Sequence, residues 1–159
     1  MTTSSAATAT ATVPTAAGVP LVTPGSGVGV RSALAAGGVA GVVSAVVNVG
    51  VSVVARGPLG ASEQFAPLTP GPIVMWTVLG ALVGALGWRL FVTRSARSGA
   101  VLRVLVPTVL VVSLLPDVVL LATEAMPGTT TAGVLSLMVM HVLTAVIAVT
   151  VYRRAMPTS

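Results

Sequence analysis

Any chemistry this chain performs would have to come from a few polar side chains set inside long apolar runs. Asp117 and His141 are the only acid and the only imidazole within those runs, and Asn48 and Ser113 are the polar groups that could join them. Ser113 precedes Asp117 by four residues, so on a helix the two share a face; Thr144 follows His141 by three. Polar groups in hydrocarbon are costly unless paired, so these four are expected to meet in one intramembrane cluster. In one reading the cluster is structural: Asp117 accepts from Asn48 or His141, and each such bond holds helices together by about 0.6–2 kcal/mol. In the other, Asp117 and His141 form a proton-titrating pair whose protonation couples to helix movement.

Other chemistries find less support. A Ser113–His141–Asp117 hydrolase would lack the G-x-S-x-G turn, and its Ser and Asp would share one helix face instead of flanking the imidazole. There is no Cys, and one His with three acids is too few for a structural zinc site. Neither outer loop has a metal-ligand or phosphate-loop spacing. The expectation is therefore no catalytic residue, no metal, no cofactor, and a protein that is not an enzyme.

The elements that must position the cluster follow from composition. Hydrophobic residues make up 55% of the 159-residue chain and charged residues only 7%, against roughly 25% charged in soluble domains. Three acids and eight arginines could not cover a water-soluble surface of this size. Four apolar runs, at about 32–55, 72–92, 104–123 and 132–152, each approach the roughly 20 residues that cross a hydrocarbon core. They show no strand-like alternation. The third is interrupted as an apolar run by Pro107, Pro116 and Asp117, but is still expected to form one helix over about 104–123. The fold expected is an all-α, four-helix transmembrane bundle. Residues 1–30, uncharged and rich in Ala, Thr, Ser and Pro, read as a disordered tail and lack the basic and apolar regions of a signal peptide. Residues 155–159 read as a short C-terminal tail.

Orientation follows from the arginines. Arg31, Arg89, Arg94, Arg97, Arg103, Arg153 and Arg154 fall on one side of the four runs, and only Arg56 falls on the other. Basic residues are retained on the cytoplasmic side, so both termini are expected inside a plasma membrane. Trp76, Trp88 and Tyr152 fall near run ends, where amphipathic rings anchor. The basic balance thus reports topology and contact with anionic lipid, not nucleic-acid binding. His141 then lies about ten residues, or roughly 15 Å, from the outer end of the fourth helix, and Asp117 about thirteen residues, or roughly 20 Å, from the inner end of the third. Gly37 and Gly41 in the first helix and Gly80 and Gly84 in the second carry the small-residue spacing that lets helices approach closely. Their seam is either internal to the bundle or between copies of a homo-oligomer.

From about Val74 to Arg154 the sequence resembles a family of small four-helix membrane proteins of unknown function, largely actinobacterial. The resemblance is carried by Leu79–Trp88 (LGALVGALGW), by Val112-Ser113-Leu114-Leu115-Pro116, and by Met140-His141. It implies a multi-pass plasma-membrane protein and no particular activity. Asp117 departs from the apolar or small residue that the resemblance implies after the proline. The function expected is that of a non-enzymatic accessory or structural membrane component, in contact with lipid and with a membrane-protein partner or further copies of itself. A proton-coupled transporter or channel component using Asp117 and His141 is the alternative.

Overall fold

Each apolar run forms one continuous helix: α1 Val30–Arg56, α2 Pro70–Arg94, α3 Ser98–Thr123 and α4 Thr131–Ala155, in a computed structural model that describes residues 28–158. All four are long and apolar enough to cross a membrane. The helices run past the apolar stretches and end where the backbone requires it. Gly57 closes α1 by donating its N–H to the Val53 carbonyl at 2.9 Å; Pro70 opens α2, where a missing N–H costs nothing. Thr130 caps α4 by accepting from the Gly133 N–H at 3.1 Å. Of the expected N-terminal tail, residues 1–27 lie outside the described residues; Val28 and Gly29 are non-helical, and Val30 already belongs to α1. At the other end, Ala155 completes α4 and Met156 is buried.

The third helix corrects the expectation most. It starts at Ser98, six residues before the apolar run, and passes through Pro107 and Pro116 without a break. Nothing between Gly99 and Arg103 forces a stop, and a proline deletes only its own N–H bond while crowding the preceding turn. Hydroxyls beside the prolines take up backbone carbonyls of the same helix: Thr108 Oγ1 donates to Val104 at 2.9 Å and Ser113 Oγ to Leu110 at 2.7 Å.

Packing is antiparallel between α1 and α2. A side chain added at Gly37 would meet Ala85 Cβ at 3.0 Å and the Leu82 backbone at 3.1 Å; one added at Gly41 would meet the Val78 backbone at 3.1 Å. Moving four residues along α1 thus moves about four residues back along α2. The seam pairs Gly37 and Gly41 with Ala81 and Ala85, one residue on from the expected glycines. Gly80 meets nothing within 4 Å, and Gly84 lies under the ring of Tyr152. Of the four expected packing glycines, Gly37 and Gly41 meet α2 and Gly84 meets α4, while Gly80 meets no neighbour; residues 80 and 84 are rotated about 100° from 81 and 85, onto a different face.

α1 also packs along α4, while α3 is held mainly by α4 and touches α2 lightly. Two apolar clusters fill the α1–α2–α4 core. One gathers Ala36, Ala85, Trp88, Tyr152 and Met156; the other gathers Ala55, Phe65, Leu68, Ile73 and Val134. The 57–69 connection is an ordered cap. Phe65 and Leu68 are fully buried, a 3₁₀ turn spans Ala66–Leu68, and Arg56 reaches back to the Leu68 carbonyl and to Glu63 at 3.4 Å. The α3–α4 loop closes against this cap at Gly128. Its φ of +74° and its neighbours Ser62 Oγ and Phe65 N, 2.8 and 2.9 Å from an added Cβ, leave room only for glycine.

Candidate functional site

Because α3 leans on α4 and stands away from α2, the two helices flank a cleft of about 1320 Å³ with α4 as its floor. Its walls are largely apolar: Val83, Phe91, Val109 and Leu120 are among them. The polar lining is concentrated on Asn48, Thr77, Ser113, Asp117, His141 and Thr144. At 1320 Å³ the cleft exceeds the roughly 300–1,000 Å³ of ordinary small-ligand pockets.

The expected cluster divides into two pairs of contacts. Asp117 Oδ2 on α3 lies 3.1 Å from His141 Nδ1 on α4. The same nitrogen lies 2.9 Å from the Leu137 carbonyl, one turn back along α4. Two acceptors around one ring nitrogen require that it carry the hydrogen, so Nδ1 is the protonated position. That hydrogen is directed to Leu137, and Asp117 Oδ2 is held at ion-pair distance without a directed hydrogen bond of its own. The two partners differ in access: the Asp117 side chain is 9% exposed and the His141 side chain 40%.

Asn48 is not part of that pair. It is 2% exposed in the C-terminal half of α1, and its Nδ2 donates to Thr77 Oγ1 at 3.1 Å and to Thr144 Oγ1 at 2.9 Å. This node ties α1 to α2 and α4 between the two apolar clusters. Its Oδ1 has no hydrogen-bond partner. Asp117 therefore takes His141, and not Asn48, as its partner. Ser113 lines the cleft one turn from Asp117, as expected, but its hydroxyl is committed to Leu110 and not to the pair.

Thr77 was not foreseen. The available signal was that it is the only hydroxyl between Trp76 and Trp88, at a depth matching Asn48. Two further bonds also went unread. Tyr152 donates its hydroxyl to the Ala81 carbonyl, and Trp88 donates Nε1 to the Met156 carbonyl at 3.0 Å. With their rings edge to face at 5.8 Å, these residues lock the end of α4 to α2. Arg89, expected at a membrane interface, donates Nε to the Val28 carbonyl at 2.7 Å and so ties the start of α1 to α2.

Among the described residues no three His, Cys, Asp or Glu side chains converge as metal ligands would. The chemistry on view is one acid, one imidazole and a neutral hydrogen-bonded node, all three lining a largely apolar cleft. No family model, curated protein or solved structure matches the chain.

Proposed function

We propose that this chain is a non-enzymatic, multi-pass plasma-membrane protein with both termini cytoplasmic, acting as an accessory component through contacts made in the α2–α3 cleft. One observation carries the reading: α3 is held mainly by α4 and only lightly by α2, and the cleft left beside it is large and largely apolar. A helix with this little internal packing leaves its contacts to be made with lipid or with another membrane protein. The arginine asymmetry supports the orientation, since Arg94 and Arg97 lie at the α2–α3 turn and Arg153 and Arg154 end α4. Cysteines at Gln64 and Ala96, both on exposed connections, test it. Impermeant thiol reagent on intact cells should label Gln64→Cys and spare Ala96→Cys, and the reverse pattern overturns the orientation.

The function is tested by extracting tagged protein from its own membrane into nanodiscs and measuring mass and composition. A lipid or protein in stoichiometric amount, lost when the cleft is filled by Val83→Trp, supports the reading. Unchanged composition in that variant refutes it. A second reading, proton-coupled transport, is favoured by the 3.1 Å Asp117–His141 contact. It requires that Asp117→Asn and His141→Ala abolish pH-driven flux in proteoliposomes while the protein stays folded; flux retained in both refutes it.

A further inference from the structure

Burial along α3 is uneven. Ser98 and Leu102 are buried at its start, and Leu105 and Val106 pack there on the cluster that holds Trp88 and Tyr152. Pro107 follows directly. Beyond it, from Thr108 to Thr123, Asp117 is the one buried residue, and Leu120 and Leu121 are partly buried against the second cluster. In hydrocarbon, apolar contacts of that kind can be exchanged for lipid at little cost, whereas a buried carboxylate finds no substitute for its imidazole. The Asp117–His141 contact is therefore the attachment of this segment that lipid cannot replace.

Pro107 marks where the anchored and free parts of the helix meet. It has no N–H to give to the Arg103 carbonyl one turn back, and its ring crowds that turn, so the helix bends there more easily than in its unbroken stretches. Thr108 Oγ1 on the Val104 carbonyl steadies the turn without replacing the missing bond. Pro116 also weakens the helix, but it sits one residue before Asp117, so a bend there leaves the carboxyl almost in place. Only a bend at Pro107 carries Asp117 away from α4.

The attachment depends on charge. The Nδ1 hydrogen of His141 is directed to the Leu137 carbonyl at 2.9 Å, and Asp117 Oδ2, at 3.1 Å, makes no hydrogen bond of its own. What draws the carboxylate to the ring is thus electrostatic. It acts on the imidazolium, more weakly on the N–H dipole of the neutral ring, and is lost when the carboxyl takes a proton. Among the residues that line the cleft no other side chain is charged. α1 contributes Asn48, α2 Thr77, α3 Ser113 and α4 Thr144, all neutral, and the Tyr152 hydroxyl is committed to the Ala81 carbonyl.

We propose that residues 108–123 of α3 form an arm, hinged at Pro107 and latched to α4 by Asp117 on His141, and that protonation of Asp117 releases it. The latch holds while the carboxyl is ionised and opens as the pH falls. The arm rests on the membrane reading, which cysteine labelling tests by itself, and on neither of the two functions proposed above.

The chain has no cysteine, so pairs of spin labels can be placed without background. In the full-length protein in nanodiscs, labels at Val119 and Val53 report the arm against α1, and labels at Val104 and Val39 report the anchored start of α3; all four side chains are exposed. A proline bend that changes by about 15° carries Val119, about 18 Å beyond Pro107, by about 5 Å. The first distance should shift by about 5 Å between about pH 8 and about pH 4, from above the ordinary His range down to that of Asp, and the second should stay. Asp117→Asn, which keeps the shape and removes the charge, should show at both pH values the distribution that the parent shows at low pH. Pro107→Ala, which restores the backbone bond, should shrink the shift. A parent distance that does not move with pH overturns the latch, as does an Asp117→Asn protein that still responds to pH or holds the high-pH distance throughout. An undiminished shift in Pro107→Ala overturns the hinge. A shift in both label pairs means that the whole bundle loosens, and overturns the arm.

Discussion

α1 and α3 are nearly equal in length, 27 and 26 residues, and α3 is the more apolar, yet the fold treats them oppositely. α1 buries ten residues, all of them Ala, Gly, Ser or Asn; α3 buries only Ser98, Leu102 and Asp117. Leu102 apart, the large side chains of both face mostly outward, with Val46 at 69% and Val104 at 68% exposure. Burial here follows smallness, not hydrophobicity. Where the surrounding solvent is itself hydrocarbon, a valine gains little by turning inward, and helices associate where their backbones can come close. α1 offers that along Ala33, Gly37, Gly41 and Ala45. α3, Val- and Leu-rich from Val104 onward, offers it almost nowhere, so a polar contact and a light seam hold it.

The sharpest way to break this comparison is to enlarge one small residue in the α1 seam. Gly37→Leu would drive a side chain into Ala85 Cβ and the Leu82 backbone, neither of which can step aside. It should lower stability by about 3 kcal/mol, the upper end for overpacking, measured by SDS titration of the protein in mixed micelles. Its neighbour Gly38 meets nothing within 4 Å, so Gly38→Leu should be neutral or raise stability by up to about 1 kcal/mol through helix propensity. Equal losses at both positions would show that helix flexibility, and not the seam, sets the cost.

The polar node should matter less. Asn48→Leu removes bonds to Thr77 and Thr144, but it also removes the buried Oδ1 that has no partner. The freed threonine hydroxyls can turn to carbonyls of their own helices, as Thr108 and Thr150 do. The expected loss in the same titration is about 1 kcal/mol. For α3 the effect is in position more than in stability. Spin labels at Val83 and Val109, across the cleft, should give a broader distance distribution than labels at Val39 and Leu79 on α1 and α2. Asp117→Asn should broaden the first further and leave the second unchanged. An Asp117→Asn distribution identical to the parent's would mean that α4 packing alone positions α3.

These contrasts also separate what the sequence makes legible from what it does not. Four helices could be read directly, because apolar runs of this length have few alternatives. That Asp117 could meet Asn48 or His141 was readable from their depths, because hydrocarbon leaves an acid few partners; that His141 is the one was not, since depth does not fix which helix faces turn together. The seam partner was not. Gly80 and Gly84 satisfy the small-residue spacing as well as Ala81 and Ala85 do, and spacing alone does not say which way a helix is rotated. Rotation of α2 is set by long-range contacts, the Tyr152 hydroxyl on the Ala81 carbonyl and Trp88 on Met156, that carry no local signature. The early start of α3 at Ser98 was likewise hidden, since Ser98–Arg103 carry no long apolar run to mark a helix.

The smallest expected effect probes the surface that the seam leaves unused. Gly80 borders the cleft and meets nothing within 4 Å, so Gly80→Ala adds a methyl to open space and gains helix propensity. Stability should rise by a few tenths to about 1 kcal/mol. Gly84→Ala, whose methyl would come 3.3 Å from the Tyr152 hydroxyl, should cancel that gain by pressing on the bond to Ala81. A loss at Gly80 as large as one at Gly37 could not come from within this chain. It would mean that Gly80 lies in a close seam with a second copy or another helix, and native-mass analysis of Gly80→Ala would then show the assembly dissociating. Thus the glycine with the least internal work to do is the most sensitive reporter of whether the open side of the molecule is covered by another protein.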